Sequence, residues 1–136
     1  MPAVEVAHLE VSLADGSRLV DDVSFEVDSG RVLGVVGESG SGKSTLSMAL
    51  LGHARPGARI TGGSVRVGGV DVLSLTGRAL REARGSVVAY VPQDPAAALN
   101  PVLSINRQLE EAITGDRAEK AARVRDVLTA VGLPSD

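Results

Sequence analysis

Between the apolar run RVLGVVG and the segment LSMALLG stands the loop GESGSGKST, residues 37–45. Gly37, Gly42, Lys43 and Ser44 fill every fixed position of G-x-x-x-x-G-K-[ST], a pattern that requires a strand, a tight loop and a helix in that order. Each residue type has a physical reason. Glycines let the backbone turn through positive φ, so that successive N–H groups point inward at an anion. A lysine at position 43 can bridge to the β and γ phosphates of a nucleotide. The Ser44 hydroxyl can reach Mg²⁺, and the helix N-terminus adds partial positive charge. Glu38, Ser39, Gly40, Ser41 and Thr45 complete the expected nucleotide-contacting set. The plainer alternative is a glycine-rich turn that caps a helix. With 16 glycines stray glycine pairs are cheap, but lysine occurs only at Lys43 and Lys120, so composition alone rarely assembles the whole pattern.

The remaining bulk properties narrow the setting. A chain of 136 residues suffices for one compact domain or part of one. A net charge of -3 provides no general basic field for gripping nucleic acid. The absence of cysteine excludes disulfides, thiolate metal sites and a cysteine nucleophile, and fits a reducing compartment. The start MPAVEVAHLE lacks the basic and apolar regions of a secretion signal. No apolar run approaches the roughly 20 residues needed to span a bilayer, so a membrane role would act through a partner.

Along the chain, AVEVAHLEVSL alternates apolar and polar residues, ADGS supplies turn chemistry, and RLVDDVSFEV follows, which together predict an antiparallel hairpin. RVLGVVG reads as a strand buried on both faces of a parallel sheet. A helix is expected from Lys43 to about Gly52, on the spacing of Leu46, Ala49 and Leu50. HARPGARITGG reads as a loop, and SVRVGGVDVL as strand with a tight turn at Gly68-Gly69. SLTGRALREARG predicts a short helix capped by Ser74 or Thr76, and SVVAYVPQ another apolar strand. Beyond Gln93 the chain turns polar and helix-forming, with Val124, Val127, Leu128 and Val131 at helical spacing. Asp71 reads as a hairpin position rather than a metal ligand, because Val72 and Leu73 continue past it. His8 and His53 read as ordinary surface or partly packed histidines.

The hairpin, the loop GESGSGKST and the later strand ending in YVPQDP together resemble the ATP-binding cassette (ABC) family. The run from Gln93 through Asp94, Pro95, Leu99, Asn100 and Pro101 is most similar to the ATPases of oligopeptide, dipeptide and nickel importers, with Ala98 where those have serine. The resemblance implies an α/β fold: a P-loop NTPase core with an N-terminal antiparallel β subdomain and the start of a helical subdomain. It casts residues 1–136 as one partial ATPase domain, with β subdomain and core over 1–95 and helical subdomain from 96. It makes Gln93 the residue that touches Mg²⁺ and the attacking water, so that Lys43 and Gln93 carry the catalytic roles and Ser44 and Gln93 the metal.

By the same resemblance the ligands are ATP and Mg²⁺, and the partners are membrane permease subunits and a second ATPase subunit that shares the nucleotide. The place is the cytoplasmic face of the membrane, and nucleic acid is not a partner. The family's Walker B strand, catalytic Glu, signature loop and switch His would all lie beyond Asp136, so the 136 residues alone are expected to be inactive. Adenine packing is expected near Leu13 or Ala14. Neither is aromatic, and Phe25 and Tyr90 are the chain's only aromatics, so aliphatic packing is expected. Two alternatives stand beside the importer reading: a truncated nucleotide-binding module without turnover, and a soluble ABC protein of repair or translation, which the acidic balance weighs against.

Overall fold

The computed structural model describes residues 2–94 and 98–134. The chain divides into two compact units, Met1–Tyr90 and Val91–Asp136.

The first unit is built on a four-stranded antiparallel sheet of order β2-β1-β3-β4. β1 (Val4–Leu13) and β2 (Arg18–Val27) form the expected hairpin. At its tip the Ser17 N–H donates to Asp15 Oδ1 at 2.9 Å, a local turn bond that also holds the Asp15 carboxyl below its ordinary range. The pairing slips three times, the last between Val11 and Ser12 near the hairpin tip. Val6 faces Phe25 but Leu9 faces Val23, so β1 carries one extra residue. Val11 then faces Val20, so β2 carries the compensating one. His8 and Asp22 adopt positive φ there, at 51° and 49°, and His8 Nδ1 meets Asp22 Oδ1 at 2.7 Å. His8 is exposed as expected, yet it is paired rather than isolated.

The bulge has a packing consequence. Strict alternation would send Leu9 to the face opposite Val6, whereas the inserted residue returns it to the same face. Val6, Leu9, Val11, Val20, Val65 and Val67 are accordingly all buried, and Leu46 and Ala49 of the first helix pack onto them. Each such aliphatic side chain contributes about 1.5–3 kcal/mol on burial.

β3 (Ala58–Val67) pairs with β1 along its whole length, so ARITGG is strand and only residues 53–57 form the loop. The glycines of that stretch mark a bulge against β1, which is why their composition mimics a loop. Gly68 and Gly69, at φ 56° and 80°, make the two-residue turn into β4 (Val70–Asp71), as the sequence predicts. One 3₁₀ turn, Val72–Ser74, leads to Thr76 at the N-cap of α2 (Gly77–Ser86), where no side-chain capping bond forms. The intervening helix α1 (Lys43–Ala49) matches its expectation.

Two further expectations are corrected. RVLGVVG and SVVAYVPQ are not strands: residues 31–37 make no ladder bonds, and Val88 makes only an isolated bridge to Arg84. Val32 is 97% exposed and Val36 93%, where a central strand would bury both. The sheet consists of β1 to β4, so these runs have no ladder partner among the described residues. Apolar composition favours burial, but a run without a hydrogen-bonded neighbour is not a strand.

The second unit is helical, as expected. Asn100 organises its entry: Oδ1 accepts the Val102 N–H at 3.0 Å, and the Asn100 N–H donates to Gln108 Oε1 at 2.8 Å. Gln108 Nε2 donates back to the carbonyls of Asn100 and Leu103. α3 (Ile105–Ala112) starts at Ser104, whose hydroxyl accepts the Arg107 N–H. α4 (Arg117–Ala130) starts with a capping box between Asp116 and Glu119, and buries Val124 and Leu128.

Candidate functional site

The loop between residue 37 and α1 folds around its own lysine. Gly42 is the N-cap of α1 at φ 87°, and its carbonyl accepts the Leu46 N–H at 2.8 Å, the first bond of the helix. Lys43 therefore lies in the first helical turn, and its side chain curls back over the loop. Its Nζ donates to Gly37 O at 2.7 Å, Glu38 O at 2.5 Å and Ser41 Oγ at 3.2 Å. These three acceptors match the three donors of an ammonium. A backbone bond, Ser41 N–H to Glu38 O at 3.2 Å, tightens the ring.

The loop is seated by β2. A Cβ on Gly42 would lie 2.3 Å from Leu19 O, so only glycine allows the helix to start so close to that strand. A Cβ on Gly37 would lie 2.6 Å from Ser41 Oγ, inside the ring that Lys43 closes. Thr45 is buried, Lys43 half-buried, and Glu38, Ser39, Gly40 and Ser44 are exposed. A cavity of about 310 Å³ adjoins the loop, with Val20, Val23 and Leu46 on its aliphatic side and Ser41 and Lys43 on its polar side.

The nine loop residues thus come together in one structural element, because they are contiguous. Leu13 and Ala14 border a separate cavity at the hairpin tip, with Ser12, Arg59 and Thr61. Gln93 is exposed and lies in the second unit, and Pro95 lies outside the described residues. Asp71 occupies β4 opposite Arg66, the expected hairpin position, with Oδ1 buried and unpaired among the described residues.

The family model described as ABC transporter matches residues 20–136, which include the loop, α1 and Gln93. The chain belongs to the ABC transporter family. Its relatives agree. A Brucella abortus protein named for ATP binding in peptide import is 47% identical over 116 residues, 82% of this chain and 35% of its own length. The dipeptide transport ATP-binding proteins DppD of Haemophilus influenzae and Escherichia coli are each 36% identical over 141 residues, 98% of this chain and 43% of their own length. The chain therefore spans less than half of the curated relatives it matches. For an ABC family member, the mixed α/β architecture with its antiparallel sheet accords with the N-terminal subdomain of the ATPase. Among the described residues no helix is long and apolar enough to cross a membrane.

The residues suit the group that this family implies. A loop in which Gly37 and Gly42 leave no room for a Cβ, closed by an ammonium on neutral carbonyls, can exchange those carbonyls for phosphate oxygens. Charge-assisted bonds to phosphate are shorter and roughly twice as strong as neutral ones. Ser44 supplies a hard oxygen of the kind magnesium prefers.

Sequence reasoning missed two things about the site. The contact of Gly42 with Leu19 joins residues with no shared motif or period. The anchoring of α1 at its far end by Arg84, which donates to Leu51 O and Gly52 O, joins positions 33 and 32 residues apart. Only the placement of Arg84 directly before Gly85, at the end of a helical pattern, hinted at a special position.

Proposed function

We propose that the chain is the phosphate-holding part of the ATP-binding subunit of an ABC importer, which couples MgATP hydrolysis to movement of a small substrate of the peptide or nickel class. Gly37 to Thr45 hold the nucleotide, Lys43 the β and γ phosphates. Ser44 and Gln93 hold magnesium, and Gln93 also orients the attacking water. Bound magnesium neutralises charge on the phosphates and fixes their orientation. Membrane permease subunits carry the substrate path, a second ATPase subunit completes the nucleotide interface, and the assembly works at the cytoplasmic face of the membrane.

The observation that carries this reading is the Lys43 ammonium, bound to Gly37 O, Glu38 O and Ser41 Oγ within a loop where glycine is sterically required. The similarity to peptide and dipeptide transport ATP-binding proteins supports the substrate class. The test is binding of a fluorescent ATP analogue in the presence of Mg²⁺, with Lys43→Ala alongside. Binding by the parent and its loss in the variant are expected; equal affinity of the two would remove the phosphate cradle from the account.

A second reading is favoured for the 136 residues by the exposure of Val32 and Val36 just before the loop. In it the chain holds nucleotide without turning it over, because the segment that enters the loop is not fixed in a sheet. Phosphate release from MgATP by the purified chain separates the two: turnover that Lys43→Ala abolishes rules out the second.

A further inference from the structure

We propose that Arg84 is a positioning residue for the phosphate loop, acting through α1 from its far end. The inference rests on the nucleotide-binding reading above.

α1 is a short rod of seven residues, about 10 Å long at 1.5 Å per residue, and its first turn carries Lys43 and Ser44. Its N-terminal end is located by the approach of Gly42 to Leu19 O. Its C-terminal end closes with the paired bonds of a glycine-terminated helix, His53 N–H to Met48 O and Gly52 N–H to Ala49 O. The carbonyls of Leu51 and Gly52, in the turn that follows, go to a single side chain. Arg84 Nε donates to Leu51 O at 2.8 Å, and its Nη2 donates to Gly52 O at 3.0 Å. A planar guanidinium spanning two successive carbonyls fixes direction as well as distance, and a cation there complements the helix dipole.

The arginine is itself fixed by a break in α2. Arg84 has ψ 78° and Gly85 φ 143°, both non-helical, while the N–H groups of Val87 and Val88 return to Ala83 O. The chain thereby leaves the helix axis at the residue whose side chain reaches the turn that ends α1. Gly52 is equally confined, since a Cβ there would lie 3.1 Å from Leu80 Cδ1 and 3.2 Å from Val72 Cγ1. Beside Arg84 lies a cavity of about 270 Å³ lined by Met48, Leu51, His53 and Tyr90. Without the guanidinium, the end of α1 has open space to move into. A rigid rod that shifts at one end tilts at the other, where Lys43 must meet phosphate.

The test measures ATP and AMP affinities of the chain by competition against a fluorescent ATP analogue, together with urea unfolding, for the parent, Arg84→Gln and Arg84→Lys. AMP lacks the phosphates that Lys43 reaches. Misplacement of α1 should weaken ATP binding about tenfold and AMP binding less than about twofold, since displacement of about 1 Å is enough for losses of this order. Arg84→Lys should recover only part of the loss, because one ammonium does not reproduce the two-pronged contact. It also carries the test if Arg84→Gln does not fold. A residue that merely stabilises the fold lowers the competent fraction, which weakens every nucleotide by the same factor. Equal losses for ATP and AMP would therefore overturn the proposal. So would unchanged ATP affinity in Arg84→Gln while Lys43→Ala still abolishes binding, a result that leaves the phosphate-loop reading standing. A parent chain without affinity for ATP would overturn both.

Discussion

The carbonyl oxygen of Leu19 lies 2.3 Å from where a Cβ on Gly42 would stand. A backbone carbonyl in a paired strand cannot rotate away, so any side chain at position 42 must lift α1 off β2. The positive φ of 87° adds its own penalty of about 1–3 kcal/mol for a residue with a Cβ. Gly42→Ala is therefore expected to destabilise the chain by about 3 kcal/mol or more in urea unfolding, within the upper range of single substitutions. It should also abolish ATP binding. Gly40→Ala is the control: φ is 85°, but nothing lies within 4 Å, so only the backbone penalty applies.

Lys43 separates stability from binding. Its acceptors belong to exposed loop residues, so losing the ammonium leaves carbonyls that water can satisfy. Lys43→Met keeps the aliphatic stem and is expected to change unfolding free energy by less than about 1 kcal/mol, as for surface bonds generally. Binding of MgATP should nonetheless fall by about a hundredfold, equivalent to about 2.7 kcal/mol. Thermal unfolding with and without nucleotide checks both: the parent gains a ligand-dependent rise in midpoint, and the variant does not.

How much was legible follows the range of the interactions. The hairpin, α1, the Gly68-Gly69 turn and the helical second half are written in short windows, by alternation, helical spacing and turn residues. The phosphate loop is written in nine consecutive residues. RVLGVVG misled because hydrophobicity reports a preference for burial and not the presence of a ladder partner. ARITGG misled because a bulge and a loop both call for glycine. The bulge itself left a mark, since the apolar phase slips from Val6 to Leu9, an odd step in a strand of period two. Arg84 left none beyond its neighbour Gly85, because its acceptors lie more than thirty residues upstream.

The exposed run before the loop can be tested directly. Val32 is 97% exposed, so Val32→Ser is expected to shift unfolding free energy by less than about 0.5 kcal/mol, the ordinary range for surface substitutions. Burial in a parallel sheet would instead cost about 2 kcal/mol or more through the lost methyl groups and a buried hydroxyl. Val65→Ser in β3, fully buried, sets that upper reference in the same experiment.

Neighbouring glycines of β3 should respond in opposite ways. A Cβ on Gly63 would lie 2.5 Å from His8 O and 2.6 Å from Ala7 O, backbone atoms of the bulge in β1, and φ is 87°. Neither obstacle can be relieved without undoing the register that returns Leu9 to the core. Gly63→Ala is accordingly expected to cost about 3 kcal/mol or more, because it sets a clash against a disfavoured backbone conformation. Gly62 has ordinary φ, and its nearest obstacle is Glu10 Oε2 at 3.3 Å, the end of a flexible side chain. Gly62→Ala should cost little, and it gains up to about 1 kcal/mol from the smaller entropy of the unfolded chain. Urea titrations of the two variants decide the matter. A milder effect at Gly63 than at Gly62 would show that the bulge, and the His8–Asp22 pairing it creates, does not set the register of this sheet.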